Sequence, residues 1–212
     1  MFSSFFSYSI VRRAINSKKI DINVHNLRDY TLDKHKKIDD YAYGGSPGLV
    51  MMIEPIDRCI AAIKVDNDCQ EVIYMAPDGE ILTQSLSNEL SLKDNIIILC
   101  GHYKGVDERV RTNLVTREVS IGDYVLSGGE IPACVLIDSI VRLIPGVLSN
   151  EVSALDDSFQ DGFVAPPVYT RPREYKGMQV PDVLLSGDKE KIDKWLFEQS
   201  VERTKKRRPS LI

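Results

Sequence analysis

The sequence feature that most constrains the fold is a continuous apolar run, Ile-Ile-Ile-Leu-Cys at residues 96–100, which ends at Gly101. Such a run is typical of a central strand in a parallel sheet, because helices cover both faces of these sheets. Strand patterns also occur at residues 72–76 and through Val119 and Ile121, with helical patterns between them. Strands that alternate with helices predict an α/β protein with a doubly wound, mostly parallel sheet.

Apolar spacing and turn residues predict the remaining elements. Helices are expected near residues 2–15, 55–64, 85–92, 107–115 and 133–144, and after the capping residue Asp188. The alternation at residues 20–24 predicts a strand, Pro77-Asp78-Gly79 predicts a turn, and residues 180–185 predict a short extended segment.

Residues 121–132 join a strand-like run to an apolar helix through Gly122, Gly128 and Gly129. Glycines let the backbone approach a bound molecule or adopt a positive φ. Glu130 suits the first turn of the helix that follows. From the residues alone, this stretch is either a ligand-binding loop or an ordinary strand-turn-helix junction.

Composition limits the class of protein. The chain has 212 residues, 43% of them hydrophobic and 27% charged, which fits one main domain with room for a small second one. Its apolar stretches are too short to span a bilayer, so we expect no membrane insertion. The four cysteines lack paired spacing, which argues against a zinc site or a disulfide framework and favours reduced thiols in the cytoplasm.

Charge is distributed unevenly. Residues 171–212 carry 11 basic and 7 acidic side chains, a net charge of +4, whereas the rest of the chain carries −8. The basic run at residues 205–208 indicates either an anionic partner or merely a solvated helix end.

Three charged residues are candidates for chemistry. Arg142 lies on a nearly all-apolar helix, where it either pairs with Asp138 four residues earlier or faces a pocket. Asp157 and Asp161 lie in an acidic, aperiodic stretch, residues 147–169, that is either a solvated linker or a segment that orders over a substrate and presents a base.

Ordered motifs extend over almost the whole chain, and together they resemble the bacterial tRNA (guanine-N1)-methyltransferase family, the TrmD-like enzymes of the SPOUT class. The motifs are Asn-Leu-Arg-Asp at 26–29, Tyr-Gly-Gly-Ser-Pro-Gly at 43–48, Cys-Gly-His-Tyr-Lys-Gly-Val-Asp-Glu-Arg at 100–109, residues 121–132, Arg-Leu-Ile-Pro-Gly-Val-Leu at 142–148, Asp-Ser-Phe at 157–159, Tyr-Thr-Arg-Pro at 169–172, Val-Leu-Leu-Ser-Gly at 183–187 and Arg-Arg-Pro at 207–209.

The resemblance implies an architecture that topology rules would not have predicted. It implies an α/β fold with a C-terminal trefoil knot, assembled as a homodimer with active sites at the subunit interface. The domains would be a knotted S-adenosylmethionine-binding domain at residues 1–148, a flexible linker at 149–169, and a small helical tRNA-binding domain at 170–212.

The resemblance also implies a cofactor, S-adenosylmethionine, held bent inside the knot loops. Main-chain groups and glycines suit an uncharged adenine and ribose. The implied cofactor-binding residues are Tyr74, Met75, Ala76, Pro77, Gly101, Tyr103, Ile121, Gly122, Asp123, Tyr124, Val125, Leu126, Gly128 and Gly129.

The implied reaction is methylation of N1 of the guanosine immediately 3′ of the anticodon, position 37 of tRNA. Asp157 would be the general base, and Arg142 would contact the guanine and stabilise charge on O6. The tRNA anticodon arm, rather than DNA, would be the partner of the basic C-terminal part. The implied substrate-binding residues are Ser153, Asp161, Tyr169 and Arg171.

The chain departs from the family pattern in two ways. His102 and Lys104 stand where many members have Arg and Glu, so a magnesium requirement linked to that glutamate does not carry over and no metal ligand is assigned. Members commonly begin with a β-strand ahead of the segment aligned with Met1, which implies that one strand of the sheet is absent. The alternatives are a SPOUT enzyme with another RNA target and a non-catalytic RNA-binding protein.

Overall fold

The structure is a computed structural model that describes residues 1–66, 68–69, 71–148 and 157–212. It divides into two compact units, Met1–Ser149 and Asn150–Ile212, and each is described by itself. No helix in these described ranges is long and apolar enough to cross a membrane.

Helices and strands alternate in the first unit, as the sequence predicts. Its elements are α1 (Phe2–Phe6), α2 (Ser9–Asn16), β1 (Asp39–Tyr41), β2 (Leu49–Met51), α3 (Ile53–Asp66), β3 (Glu71–Ile81), α4 (Gln84–Leu90), β4 (Ile96–Cys100), α5 (Glu108–Asn113), β5 (Arg117–Ser120) and α6 (Glu130–Val141).

The predicted parallel sheet is confirmed, with the strand order β4-β3-β5. Ile73 of β3 faces Ile98 of β4 on one side and Arg117 of β5 on the other. The apolar run was expected to form a central strand, but in the described part of the chain it lies at one side of the sheet and β3 is central.

The turn predicted at residues 77–79 is wrong, because β3 continues through these residues. The register between β3 and β5 shifts between Met75 and Glu80, so the extra residues are absorbed as an irregularity within the strand. Gly79 permits this, since a Cβ there would lie 2.6 Å from the Glu118 backbone.

Alternate residues of β3 face two separate cores, because successive side chains of a strand point to opposite faces. Val72 and Tyr74 pack in a cluster with residues of α3 and α5, including Ile56 and Val110. Ile73 and Met75 pack in a second cluster with Leu90 of α4 and Leu136 of α6. Helices therefore cover both faces of the sheet, as a doubly wound α/β arrangement requires.

The strand predicted at residues 20–24 is wrong. Ile20 and Ile22 pack against a third apolar cluster around Val11 and Ala14 of α2, so side-chain packing alone explains their alternation. Residues 20–24 line a groove of about 890 Å³ that β4 also lines, and they pair with no strand of the described chain.

The second unit contains a two-stranded hairpin, β6 (Glu174–Tyr175) and β7 (Met178–Gln179), and a long helix, α7 (Lys189–Arg207). The extended segment predicted at residues 180–185 is wrong over Asp182–Leu185, which form a short 3-10 helix. The predicted cap is confirmed, because the Asp188 side chain accepts a hydrogen bond from the Lys191 N–H at 3.2 Å.

We predict that Leu90→Ala lowers the free energy of unfolding of the first unit by about 2–5 kcal/mol, because it leaves a cavity in the core. Leu90 is fully buried. The matched control is Leu92→Ala, two residues away and 84% exposed, which should change it by less than about 0.5 kcal/mol. Urea unfolding followed by far-ultraviolet circular dichroism measures both, and equal effects would contradict the assigned core.

Candidate functional site

A cavity of about 430 Å³ lies where the parallel strands end. Its walls are residues 74–78 of β3, residues 101–106 after β4, and residues 119–122 and 124–129 at and after the end of β5. Ligands of open parallel α/β sheets bind at the carboxyl ends of the strands, and this volume suits a small-molecule ligand.

The cavity brings together all the predicted cofactor residues except Asp123, which does not line it. Three segments that lie about 20 to 30 residues apart in the sequence therefore line one cavity. The cofactor role of each residue stays a prediction. The lining also contains polar residues that were not singled out as cofactor residues: Asp78, His102, Lys104, Arg111, Ser120 and Ser127.

Two glycines let the loops pack closely. Gly129 lies against the end of β4, where a Cβ would be 2.8 Å from Cys100 Cα, and its N–H donates to the Gly101 carbonyl at 2.9 Å. At Gly101 a Cβ would be 2.9 Å from the Tyr74 ring. Because Gly129 meets backbone, a side chain there would displace the loop itself.

Gly122 begins the loop after β5 with a φ of 145°, a conformation that favours glycine. The Ser120 hydroxyl accepts a hydrogen bond from the Gly122 N–H and donates one to the Gly122 carbonyl, each at 3.1 Å. Ser120 is buried, so this local turn is fixed from beneath the cavity wall.

A side-chain pair joins two of the cavity loops. His102 Nε2 lies 2.6 Å from Glu130 Oε1, at the start of α6, and His102 also forms an antiparallel bridge with Gly128. A Cβ at Gly128 would lie 2.6 Å from Glu130 Oε2 and 2.7 Å from His102 Cε1. The pair thus occupies the space beside Gly128.

Arg111 of α5 also lines the cavity and forms ion pairs with two carboxylates, Asp78 and Glu118, a group that we call the Arg111 hub. Its guanidinium donates to Asp78 at 2.8 Å, donates two hydrogen bonds to Glu118, and lies 5.9 Å from the centre of the Tyr74 ring. The carboxylates of Glu118 and Asp78 raise the pKa of Arg111 further above its usual value. Its hydrogen bond in turn lowers the pKa of Asp78.

Two buried groups, one in the cavity wall and one at the end of β4, are held neutral. Burial raises the pKa of the Tyr74 hydroxyl. Burial, with a smaller contribution from Glu130, raises the pKa of the Cys100 thiol to about 12. A thiol with so high a pKa is a poor nucleophile at neutral pH, which argues against covalent thiolate chemistry at this edge.

The loop after β4 is also fixed from outside the cavity. The Met51 N–H of β2 donates to the Gly105 carbonyl at 3.0 Å, and the Lys104 N–H donates to the Leu49 carbonyl at 3.1 Å. The Lys104 stem passes close to Gly48, where a Cβ would be 3.0 Å from Lys104 Cγ. The second glycine-rich motif, residues 43–48, therefore precedes a strand that braces the cavity.

The predicted substrate and catalytic residues lie in both units. In the first unit, half-buried Arg142 directly follows α6 and is its C-cap residue. In the second, Asp157 is half-buried, and Asp161 Oδ1 accepts a hydrogen bond from the Phe163 N–H at 3.0 Å.

The other predicted substrate residues are less constrained. In the second unit, Tyr169 is 49% exposed and Arg171 is exposed. Ser153 lies outside the described residues. Across the described ranges, no group of three or more His, Cys, Asp or Glu side chains could hold a metal ion.

The charged residues in and beside the cavity wall that sequence reasoning did not predict share a cause. Arg111, Asp78 and Glu118 come from three elements, and no spacing in the sequence links an arginine to carboxylates 33 residues before it and 7 residues after it. In the sequence, His102 and Lys104 stand out only as departures from a family pattern. Nothing in the sequence around His102 predicts that its side chain pairs with Glu130, 28 residues later.

Fold and cavity together define a parallel α/β protein with a glycine-lined cavity at the carboxyl ends of its strands. Residues 1–212 match the family described as tRNA (Guanine-1)-methyltransferase TrmD, and the chain belongs to this family.

Three similar proteins carry the name tRNA (guanine-N(1)-)-methyltransferase. The protein from Christiangramia forsetii is 62% identical over 207 residues, which cover 98% of this chain and 92% of that protein. The Cytophaga hutchinsonii protein is 60% identical over 211 residues, covering 100% and 90%. The Bacteroides thetaiotaomicron protein is 58% identical over 212 residues, covering 100% and 94%.

We predict that Arg111→Met destabilises the first unit by about 1–2 kcal/mol, because two carboxylates lose a partly shielded cation. The matched control is Arg109→Met, two residues away, where the arginine pairs with Asp107 and its side chain is 64% exposed. Urea unfolding should show a lower midpoint for Arg111→Met and an unchanged midpoint for Arg109→Met. A similar shift in both variants would mean that the hub contributes nothing specific.

Proposed function

We propose that this protein is an S-adenosylmethionine-dependent methyltransferase that modifies N1 of the guanosine immediately 3′ of the anticodon, position 37 of tRNA. The observation that carries the proposal is the cavity shared by the three segments that the family resemblance implies, residues 74–77, 101–105 and 121–129, of which the last two contain glycines. Membership of the family supports the reaction class.

The cavity suits the cofactor in chemistry as well as volume. Its loops offer main-chain groups and glycines, with exposed apolar side chains at Tyr124 and Leu126 that can cover a flat ring. Gly101 and Gly129 sit where side chains would collide with neighbouring atoms, so these loops can follow a ligand closely. When bound, S-adenosylmethionine supplies a methyl group on a positively charged sulfur.

The chain's own residues then have three tasks in the proposed reaction. Asp157, as general base, accepts the N1 proton of guanine. Arg142 stabilises the negative charge that develops on O6, because a fixed cation there favours the charged state. The cavity loops hold the cofactor in line with N1 and exclude water, which makes the transfer effectively intramolecular.

We propose the finer architecture from the same resemblance. The segments around the cavity would form the trefoil knot, and the chain would act as a homodimer. Ile131 and Val135 on α6 are 49% and 42% exposed, and Val125 is 83% exposed, so a second copy could cover this apolar surface. The domains would be 1–148, 149–169 and 170–212.

Partners follow from the charge of the second unit. The C-terminal end of α7 carries Lys205, Lys206 and Arg207, followed by Arg208, and all four are exposed. Such a run would hold the tRNA anticodon arm through its phosphates, with Tyr169 and Arg171 as further contacts. The setting would be the cytoplasm, and a magnesium ion is not required by any residue assigned a role.

The proposal is tested by methylation of tRNA transcripts that carry either guanosine or adenosine at position 37. We expect transfer only to guanosine, because adenosine N1 has no proton for a base to remove and adenosine lacks O6. Calorimetric titration with S-adenosylmethionine is the companion measurement. Equal transfer to both transcripts would overturn the substrate, and undetectable cofactor binding would point to a non-catalytic RNA-binding protein.

For the base, we predict that Asp157→Ala abolishes methylation, a loss of at least about a hundredfold in kcat, while S-adenosylmethionine binding is retained. The matched control is Asp193→Ala, which removes an exposed carboxylate from α7 in the same unit. Asp161→Ala separates the two acidic candidates, since Asp161 is assigned to substrate binding and should change KM more than kcat. Wild-type turnover in Asp157→Ala would reject Asp157 as the base.

A further inference from the structure

The long helix α7 carries two buried hydroxyl groups, and both form hydrogen bonds at the same place in the second unit. Thr204 is 0% exposed and Ser200 is 7% exposed, which is unusual for polar residues on a helix that is otherwise strongly charged. Their hydroxyls lie one turn apart on the same face. A buried polar group is costly unless it is hydrogen-bonded, so the partners of this pair are informative.

Both hydroxyls bind the backbone of one residue, Val164. The Val164 N–H donates to Thr204 Oγ1 at 2.8 Å, and the Ser200 hydroxyl donates to the Val164 carbonyl. Thr204 Oγ1 also donates to the Ser200 carbonyl at 2.7 Å. The pair thus satisfies both polar backbone groups of Val164, which fixes the position and the orientation of the chain at this point.

From Val164 the order extends back toward Asp157. The Ala165 N–H donates to the Ser158 hydroxyl at 2.9 Å, and the Phe159 N–H donates to the Phe163 carbonyl at 2.7 Å. These bonds close residues 158–165 into a compact loop. Its first residue directly follows the proposed base.

Arg208 makes the third contact between the helix and this loop. Its guanidinium carbon lies 5.4 Å from the centre of the Phe159 ring, within the range of a cation–π interaction. Phe159 has a φ of 76°, which is uncommon for a residue with a bulky side chain and shows that the backbone of the loop is constrained at this point. Ser200 and Thr204 share one face of α7, and Arg208 is the C-cap residue of the helix, where its N–H donates to the Thr204 carbonyl at 2.8 Å.

We propose that Ser200, Thr204 and Arg208 are positioning residues that hold the loop of residues 158–165 against α7 and thereby set the position of the Asp157 carboxylate. The inference rests on the proposed function of Asp157 as a general base. A base must lie within hydrogen-bond reach of the proton it accepts, so small displacements of its support lower kcat rather than substrate binding.

The first test is Thr204→Val, which keeps the shape of the side chain and removes the hydroxyl. We expect kcat for tRNA methylation to fall by about 10- to 100-fold, while KM for tRNA and the Kd of S-adenosylmethionine change less than about threefold. Thr204→Ser keeps the hydroxyl and should restore kcat to within about threefold of the wild type.

The second test does not depend on a buried residue. Arg208→Gln removes an exposed charge and the contact with Phe159, and we expect a fall in kcat of about fivefold or more. Lys206→Gln is the matched control, because it removes another exposed charge from the same basic run. Lys206→Gln should raise KM for tRNA without the fall in kcat that we expect for Arg208→Gln.

The outcomes separate the possible explanations. Fluorescence of Trp195, the only tryptophan and a residue of α7, reports whether each variant keeps the second unit folded. Wild-type kcat in folded Thr204→Val and in Arg208→Gln overturns the inference. If Thr204→Val unfolds, Arg208→Gln decides alone, with a lower kcat in support and a wild-type kcat against. A wild-type protein that methylates no tRNA overturns the proposed function instead.

Discussion

The cavity depends on one close backbone contact, between Gly129 and the end of β4. The Gly129 N–H donates to the Gly101 carbonyl at 2.9 Å, and no side chain fits between the two segments because a Cβ would lie 2.8 Å from Cys100 Cα. This contact sets where α6 begins and draws the loop after β5 over the loop after β4. Both loops therefore face the same space, and α6, whose C-cap residue is Arg142, begins at the same point.

Charged side chains stabilise this arrangement from its edges. The Arg111 hub ties α5 to β3 and β5 on one side of the cavity, and the His102–Glu130 pair joins the loop after β4 to α6 on another. Partly exposed ion pairs each contribute little to folding, but a wrong loop arrangement would separate the charges. Most of the residues that line the cavity are uncharged, and Asp78, Lys104 and Arg111 are the charged exceptions.

The sequence predicted those parts of the fold that local patterns specify. The apolar run at residues 96–100, the cap at Asp188 and the helix from Glu130 depend on neighbouring residues, and all three are found. Residues 20–24 alternate like a strand, yet side-chain packing uses that alternation without a partner strand.

The cofactor loops came from motif resemblance rather than from periodicity, and the structure brings all but Asp123 to one cavity. The roles of Arg111 and Thr204 could not be predicted, because the partners of each side chain come from other segments and no local sequence pattern marks them.

The two units use different means of fixing a functional group. Glycine backbone contacts shape the cavity, whereas buried hydroxyls hold a loop on α7. The uncharged adenine and ribose of the proposed cofactor need close approach of the main chain, which glycine permits because it has no Cβ. The carboxylate of Asp157, as the proposed base, has to be held at a fixed position relative to the proton that it accepts, so it needs a rigid support. In our proposal the hydroxyls of Ser200 and Thr204 provide that support by hydrogen bonding to both polar backbone groups of Val164. The chemistry each unit is proposed to perform therefore accounts for the kind of contact it contains.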